Sequence, residues 1–118
     1  MPKKILIVDD DGSVLNLLRV FLTEKGFEAH TAQDGLDAIE KLKTVTPDLI
    51  LLDVIMPKLD GYGFVREIKK NPKFRQIPIV VLTAREMMRD VFIQEGVQHF
   101  VVKPYNPEEL FGIISKCL

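Results

Sequence analysis

Short apolar runs alternate along this chain with longer stretches in which apolar residues recur at helical spacing. Four runs of strand length are almost wholly apolar, namely Ile5–Val8, Leu49–Leu52, Ile79–Leu82 and Phe100–Val102. A weaker, half-polar run at Glu28–Thr31 brings the predicted strands to five. Because unbroken apolar runs are typical of strands that are buried on both faces, the pattern favours a parallel sheet.

The first two predicted helices each have a candidate start and an apolar face. Ser13 is a candidate cap for the first helix, which Gly26 should end, and the second should begin near Asp34. The side chains expected to face the core are Val14, Leu15, Leu17, Leu18, Phe21 and Leu22 in the first helix and Leu36, Ile39 and Leu42 in the second.

Three further helices complete the alternation. The third carries Phe64, Val65 and Ile68 on its apolar face and should end at the Asn71-Pro72 break. The remaining helices are predicted over residues 84–95, before Gly96, and over residues 108–118.

Five such strand and helix units in 118 residues predict one α/β domain over residues 1–118. Right-handed crossovers place helices on both faces of an open parallel sheet. Ligands of such sheets bind outside the carboxyl ends of the strands. The polar residues that follow each strand are therefore the candidate functional residues.

Acidic, hydroxyl and basic side chains occupy these strand ends. They are Asp9, Asp10 and Asp11 after the first strand, Asp53 after the third, Thr83 after the fourth and Lys103 after the fifth. Each residue taken alone is more often a cap, a turn former or a solvated side chain. Together the carboxylates would repel one another unless a cation lies among them. We therefore expect Lys103, a bound metal ion or both to neutralise their charge. Magnesium suits carboxylate and water ligands best.

Asp53 is the candidate nucleophile, because a carboxylate can form an acyl phosphate. The protein would then mainly position the phosphoryl group and neutralise its charge. Lys103 and the metal ion would neutralise that charge, and the Thr83 hydroxyl could donate a hydrogen bond to a phosphoryl oxygen.

Four motifs extend over almost the whole chain, namely Ile-Leu-Ile-Val-Asp-Asp-Asp, Leu-Leu-Asp-Val-Ile-Met-Pro with Asp60-Gly61 after it, Val-Leu-Thr-Ala and Phe-Val-Val-Lys-Pro. Together they resemble the receiver domains of bacterial two-component response regulators. The resemblance implies a flavodoxin-like sheet of order 2-1-3-4-5, doubly wound by five helices. It also implies a phosphorylation-activated switch that is not an enzyme in its own right.

The resemblance also implies roles for individual residues. Asp53 would be phosphorylated by a partner histidine kinase or phosphotransfer protein. Mg²⁺ would be held by Asp10 and Asp53, by the backbone carbonyl of Ile55 and, largely through water, by Asp9. Asp11 matches no metal-binding position and is more simply explained as a cap of the first helix.

The resemblance further implies that Lys103 pairs with the phosphoryl group and that Thr83 is coupled to Phe100 during switching. Without the resemblance, Phe100 would be interpreted as an aromatic side chain of the core. Ile55 lies two positions after Asp53, and Arg85 lies two after Thr83. Because an aliphatic side chain cannot orient an attacking water, we expect slow self-dephosphorylation.

Two other functions fit parts of the sequence. The string from Asp9 to Val14 also resembles the first motif of haloacid dehalogenase-like phosphatases, with Asp9 as nucleophile and Asp11 as acid and base. That interpretation lacks a late acidic pair and gives Asp53 no role. A constitutive interaction module that keeps the fold without phosphorylation is the third alternative, which the intact signature positions disfavour.

Composition and charge limit the partners. A formal net charge of −1 and a pI near 6.1 indicate no general affinity for nucleic acid or membranes. The single cysteine, Cys117, fits a reducing cytoplasm. We expect a cytoplasmic monomer or phosphorylation-dependent dimer. The resemblance to receiver domains implies that it signals to an effector protein or domain through the fourth helix, fifth strand and fifth helix. The apolar group Met87, Met88, Val91, Phe92 and Ile93 lies in that fourth helix.

Overall fold

A computed structural model describes residues 2–53, 61–83, 89–94, 96–97, 99–102 and 105–118, with the backbone alone for residues 61, 62, 83 and 89–91. Its described elements alternate between strand and helix from beginning to end. The strands are β1 (Lys4–Val8), β2 (Glu28–Ala32), β3 (Leu49–Asp53), β4 (Ile79–Thr83) and β5 (His99–Val102). The helices are α1 (Gly12–Glu24), α2 (Gly35–Leu42), α3 (Gly61–Lys70), α4 (Arg89–Gln94) and α5 (Pro107–Cys117).

The five strands form one parallel sheet, as the residue pattern predicted, in the order β2-β1-β3-β4-β5 that the resemblance implied. The strand β3 lies at the centre, with β1 and β4 on either side of it. All of its residues are buried, because helices cover both faces of the sheet there. Register pairs Val8 with Leu52 and Asp53 with Leu82, so these three strands end at the same edge.

Alternation along the strands divides the core between the two faces of the sheet. On one face, Ile7 and Leu51 pack with residues of α1 and α5. On the other face, Leu6 and Ile50 pack with residues of α2, α3 and α4. The layers are therefore α1 and α5, the sheet, and α2 to α4, which is the doubly wound arrangement.

Asp11 caps helix α1 and Ser13 does not. The helix begins at Gly12, one residue before Ser13, and Asp11 has an extended backbone. An Asp11 Oδ1 accepts hydrogen bonds from the backbone N–H groups of Ser13, at 2.9 Å, and Val14, at 3.4 Å. The structure thus confirms the cap role expected for Asp11 and corrects that of Ser13. Helix α2 begins at Gly35, next to Asp34 as predicted, and Asp34 caps it by accepting the Asp37 N–H at 2.8 Å.

Two leucines expected in the core lie outside it. Leu17 is 69% exposed, whereas Leu15 and Leu18 are buried. Leu36 is 52% exposed, whereas Leu42 is buried. Two residues along a helix correspond to a rotation of about 200° around its axis, so Leu17 lies almost opposite Leu15 and cannot share its face. The predicted buried faces of α1 and α2 included every leucine and were therefore wider than the buried faces in the structure.

The predicted helix ends at Gly26 and Gly96 are confirmed. Both glycines have positive φ, 95° and 92°, a backbone conformation that other residues rarely adopt. The Gly96 N–H donates to the carbonyl of Ile93 and the Val97 N–H to that of Phe92, which closes α4. The predicted helix over residues 84–95 lies partly outside the described residues. None of the helices within the described ranges has the length and apolar character that crossing a membrane requires.

Candidate metal and phosphoacceptor site

The carboxyl ends of β1 and β3 bring three carboxylates together. Asp9 and Asp10 follow β1, and Asp53 is the last residue of β3, its neighbour in the sheet. One oxygen from each of the three carboxyl groups can be chosen so that all lie within 4.8 Å of one another. We call Asp9, Asp10 and Asp53 the acidic cluster.

Asp9 is the most deeply placed member of the cluster, at 2% exposure. Its backbone N–H donates to the carbonyl of Ala32, at 3.1 Å, which continues the pairing of β1 with β2 beyond Val8. Its Oδ1 accepts the backbone N–H of Asp11 at 2.9 Å. The sheet and the turn into α1 therefore hold this carboxylate beside the strand ends.

Asp53 is 9% exposed and Asp10 is exposed, so the cluster runs from the sheet edge out to solvent. Strand alternation places Asp53 on the same face as Leu49 and Leu51, the face covered by α1 and α5. Asp10 therefore forms the solvent-facing side of the cluster.

The acidic cluster fits a hard divalent cation. Three carboxylates so close together repel one another, and a cation among them removes that repulsion. The donors are all oxygens, and the exposed side of the site leaves space for water ligands, as Mg²⁺ requires. Asp11 takes no part, because its side chain caps α1.

Tyr105 is a neighbour of the cluster that the sequence did not reveal. Its ring is half-buried against the α1 and α5 layer, on the face that Asp53 shares. Burial raises the pKa of the Tyr105 hydroxyl, and the negative charges of Asp9 and Asp53 raise this pKa further. The only available signal was its position shortly after a strand end, which many turn residues share.

The other predicted site residues are placed only in part. Thr83 is the last residue of β4 and pairs in register with Val102, and its side chain lies outside the described residues. Ile55 and Lys103 also lie outside the described residues. Phe100 is half-buried and packs against the core on the side of α2 to α4.

The apolar group predicted in the fourth helix is described for two of its members. Phe92 is fully buried in the core. Ile93 is 52% exposed, as expected of the part of this group that does not face the sheet. The structure does not describe Met87, Met88 or the side chain of Val91.

Comparison with known proteins adds the family. A sequence model of the response regulator receiver domain matches residues 5–115. The chain belongs to this family. This receiver domain is therefore a regulatory module of two-component signalling and not a haloacid dehalogenase-like phosphatase, as the sequence motifs indicated.

Relatives and solved structures agree with this assignment. The receiver domain is 43% identical to a probable transcriptional regulator, ycf27 of Cyanophora paradoxa, over 98% of this chain and 48% of the relative. The chain thus spans about half the length of the curated relatives it matches.

Two solved structures share the fold over nearly their whole length. The chemotaxis protein CheY4 of Vibrio cholerae has a TM-score of 0.94 at 31% identity and covers 100% of both chains. The receiver domain of the sensor histidine kinase PA1611 from Pseudomonas aeruginosa has a TM-score of 0.88 at 30% identity, covering 98% of this chain and 97% of its own. That structure holds a magnesium ion coordinated in its active site cleft.

Proposed function

We propose that the whole chain, residues 1–118, acts as one switch that is turned on when Asp53 accepts a phosphoryl group from a phosphohistidine on a partner kinase or phosphotransfer protein. The observation that carries this proposal is the convergence of three carboxylates within 4.8 Å at the carboxyl edge of the sheet. The family match over residues 5–115 supports it independently.

The acidic cluster would hold Mg²⁺ through Asp10 and Asp53, with the Ile55 carbonyl as a further ligand and Asp9 acting through water. The ion would supply positive charge to neutralise the carboxylates and the phosphoryl oxygens. Asp53 is the acceptor in this arrangement because its carboxylate lies at the centre of the sheet edge, between β1 and β4.

In the transfer step, a carboxylate oxygen of Asp53 attacks the phosphorus of the phosphohistidine. The O–P bond forms as the N–P bond breaks, and the imidazole nitrogen leaves with the electron pair of the broken bond. Lys103 would then pair with the phosphoryl group and the Thr83 hydroxyl would donate to one of its oxygens. Thr83 would draw inward, and Phe100, which opposes Val81 in the register of β4 and β5, would follow it.

The chain would catalyse no reaction beyond its own phosphoryl transfer and slow dephosphorylation. Slow loss of phosphate follows from Ile55, whose aliphatic side chain gives an attacking water no hydrogen bond. Comparing the phosphate lifetime of the parent chain with that of Ile55→Asn tests this step, and equal lifetimes would contradict it.

The signal would pass through α4, β5 and α5 to an effector protein or domain in the cytoplasm. The relatives named transcriptional regulators support an effector that controls gene expression. The receiver itself would contact protein partners and not nucleic acid or membrane, as a monomer or as a phosphorylation-dependent dimer.

Incubation with Mg²⁺ and a small phosphodonor, followed by location of the modified residue, tests the central proposal. We expect one acyl phosphate on Asp53 that disappears in Asp53→Asn and when the metal is chelated. Asp11→Asn is the matched control, because it removes a charge from the same acidic run while asparagine still caps α1. A label that survives in Asp53→Asn would refute the proposal.

A further inference from the structure

A second charged feature lies at the amino ends of β4 and β5, at the opposite edge of the sheet from the acidic cluster. There the ends of α3 and α5, the loop before β4, the turn after α4 and the start of β5 line an open cavity of about 500 Å³. The charged or titratable side chains that line it are Lys69, Arg75, Lys116, His99 and Cys117. None of its described lining residues is an aspartate or glutamate. We call this cavity the basic groove.

The cations of the groove lack carboxylate partners within the described part of the chain. Lys69, Arg75 and Lys116 take part in none of the ion pairs found there. The next residue along α3, Lys70, does pair with a carboxylate, since its Nζ lies 3.5 Å from Glu67 Oε1. Positive charge is therefore concentrated in the groove and not merely spread over this end of α3.

Lys69 is held in place within the groove. Its Nζ donates a hydrogen bond to the carbonyl of Arg75 at 3.0 Å, which uses one of the three N–H donors of an ammonium group. Its side chain lies against Gly96, where an added Cβ would be 3.5 Å from Lys69 Cε. Burial lowers the pKa of this ammonium group, and a bound anion would oppose that effect.

Helix ends alone do not explain this set of cations. Lys69 and Lys116 lie in the last turns of α3 and α5, where cations interact favourably with the carbonyl end of a helix. Arg75 belongs to neither helix and comes from the loop that leads to β4. Its guanidinium group can bind two oxygens of one phosphate at once.

We propose that the basic groove binds a small molecule that carries a diphosphate group. The three cations match the charge of a diphosphate, and the volume lies within the roughly 300–1,000 Å³ typical of ligand pockets. The apolar residues Ile77, Pro78 and Ile79 form part of the lining and would contact the less polar part of the molecule. This site is separate from the phosphoacceptor site and does not depend on its function.

The single cysteine of the chain provides the assay. Cys117 lines the groove and is half-buried there, so a ligand in the groove should shield its thiol. The experiment measures the rate at which iodoacetamide, a neutral reagent, alkylates Cys117 with and without pyrophosphate, in metal-free buffer at constant ionic strength. We expect the rate to fall with saturation, by about tenfold when pyrophosphate is present at ~10 times its Kd.

Matched variants and anions make the result specific. Protection should be lost in the double variant Arg75→Gln/Lys116→Gln and retained in Lys70→Gln, which removes a charge outside the groove. It should also persist in Asp53→Asn. Unchanged alkylation with pyrophosphate, equal protection in the double variant, or equal protection by citrate would each overturn the proposal, the last because the groove would then recognise charge and not diphosphate.

Discussion

Tyr105 couples the acidic cluster to the layer formed by α1 and α5. Its hydroxyl responds to the charges of Asp9 and Asp53, while its ring packs against the core beside them. A change of charge at the cluster should therefore change the pKa of a side chain that also belongs to the packed layer. The tyrosine is a natural reporter, because the chain has only two tyrosines and no tryptophan.

Removing the charge of Asp53 should lower the pKa of Tyr105. Burial is the largest cause of the raised pKa and remains in the variant, so the pKa should stay above the ordinary value of about 10. The measurement is the phenolate absorbance during an alkaline titration of Asp53→Asn in a Tyr62→Phe background. Glu24→Gln, a distant exposed carboxylate on α1, is the control and should leave the titration unchanged.

The same raised pKa predicts how stability changes at alkaline pH. A folded-state pKa above the unfolded value means that the folded chain keeps the phenol proton longer, so stability is full below the unfolded pKa and falls as pH rises through the folded one. The free energy of unfolding should decline less over that range in Tyr105→Phe than in the parent. Parallel curves for the two proteins in chemical denaturation would contradict this account.

At the scale of elements, the pattern of apolar and polar residues predicted the strands and their burial correctly. The run Leu49–Leu52 has no polar position, and β3 is buried on both faces. Helix faces were predicted less well, because periodicity gives the direction of a buried face but not its width, so Leu17 and Leu36 were assigned to it although both are largely exposed. Tyr105 was missed because its relation to Asp9 and Asp53 exists only once distant strands are adjacent.

The two leucines of α2 test this difference in burial. Leu42→Ala should lower the free energy of unfolding by about 2–5 kcal/mol, because Leu42 is 3% exposed and its removal leaves a cavity in the core. Leu36→Ala in the same helix should change it by no more than about 0.5 kcal/mol, since Leu36 is mostly in water. Chemical denaturation of both variants gives the comparison. Similar losses would mean that Leu36 is buried after all.

Glycines make a second test at this scale. Gly26 follows α1 with φ of 95°, so Gly26→Ala should destabilise the fold by about 1–2 kcal/mol. Gly112 lies inside α5, and an added Cβ there meets nothing within 4 Å. Gly112→Ala should therefore stabilise the chain by about 0.5–1 kcal/mol, because alanine favours the helix. Opposite shifts in Tm for the two variants are the expected result, and shifts of the same sign would contradict it.

At the scale of the whole molecule, charge is distributed unevenly between the two edges of the sheet. The acidic cluster lies at the carboxyl edge and the basic groove at the amino edge, although the formal net charge is only −1. The net charge therefore does not reveal that negative and positive side chains are concentrated at opposite edges of the sheet. The acidic edge could be predicted from sequence because its residues follow strands directly, whereas the basic groove combines residues from α3, its following loop, β5 and α5.

The acidic cluster should make the stability of the fold depend on Mg²⁺. Whether Asp53→Asn is more or less stable than the parent should then depend on the Mg²⁺ concentration. In metal-free buffer the three carboxylates repel one another, so Asp53→Asn should be more stable than the parent. In the proposed arrangement Mg²⁺ would bind the folded state through these same carboxylates, and at 100 times its Kd it should stabilise the parent by about 2.7 kcal/mol. The variant should gain less, so the difference in stability between the two proteins should shrink or reverse as Mg²⁺ is added. Thermal unfolding across a Mg²⁺ titration measures this, with Asp37→Asn on α2 as a charge-matched control that should gain as much stability from Mg²⁺ as the parent. If the parent and Asp53→Asn gained equally, the ion would bind somewhere other than the acidic cluster.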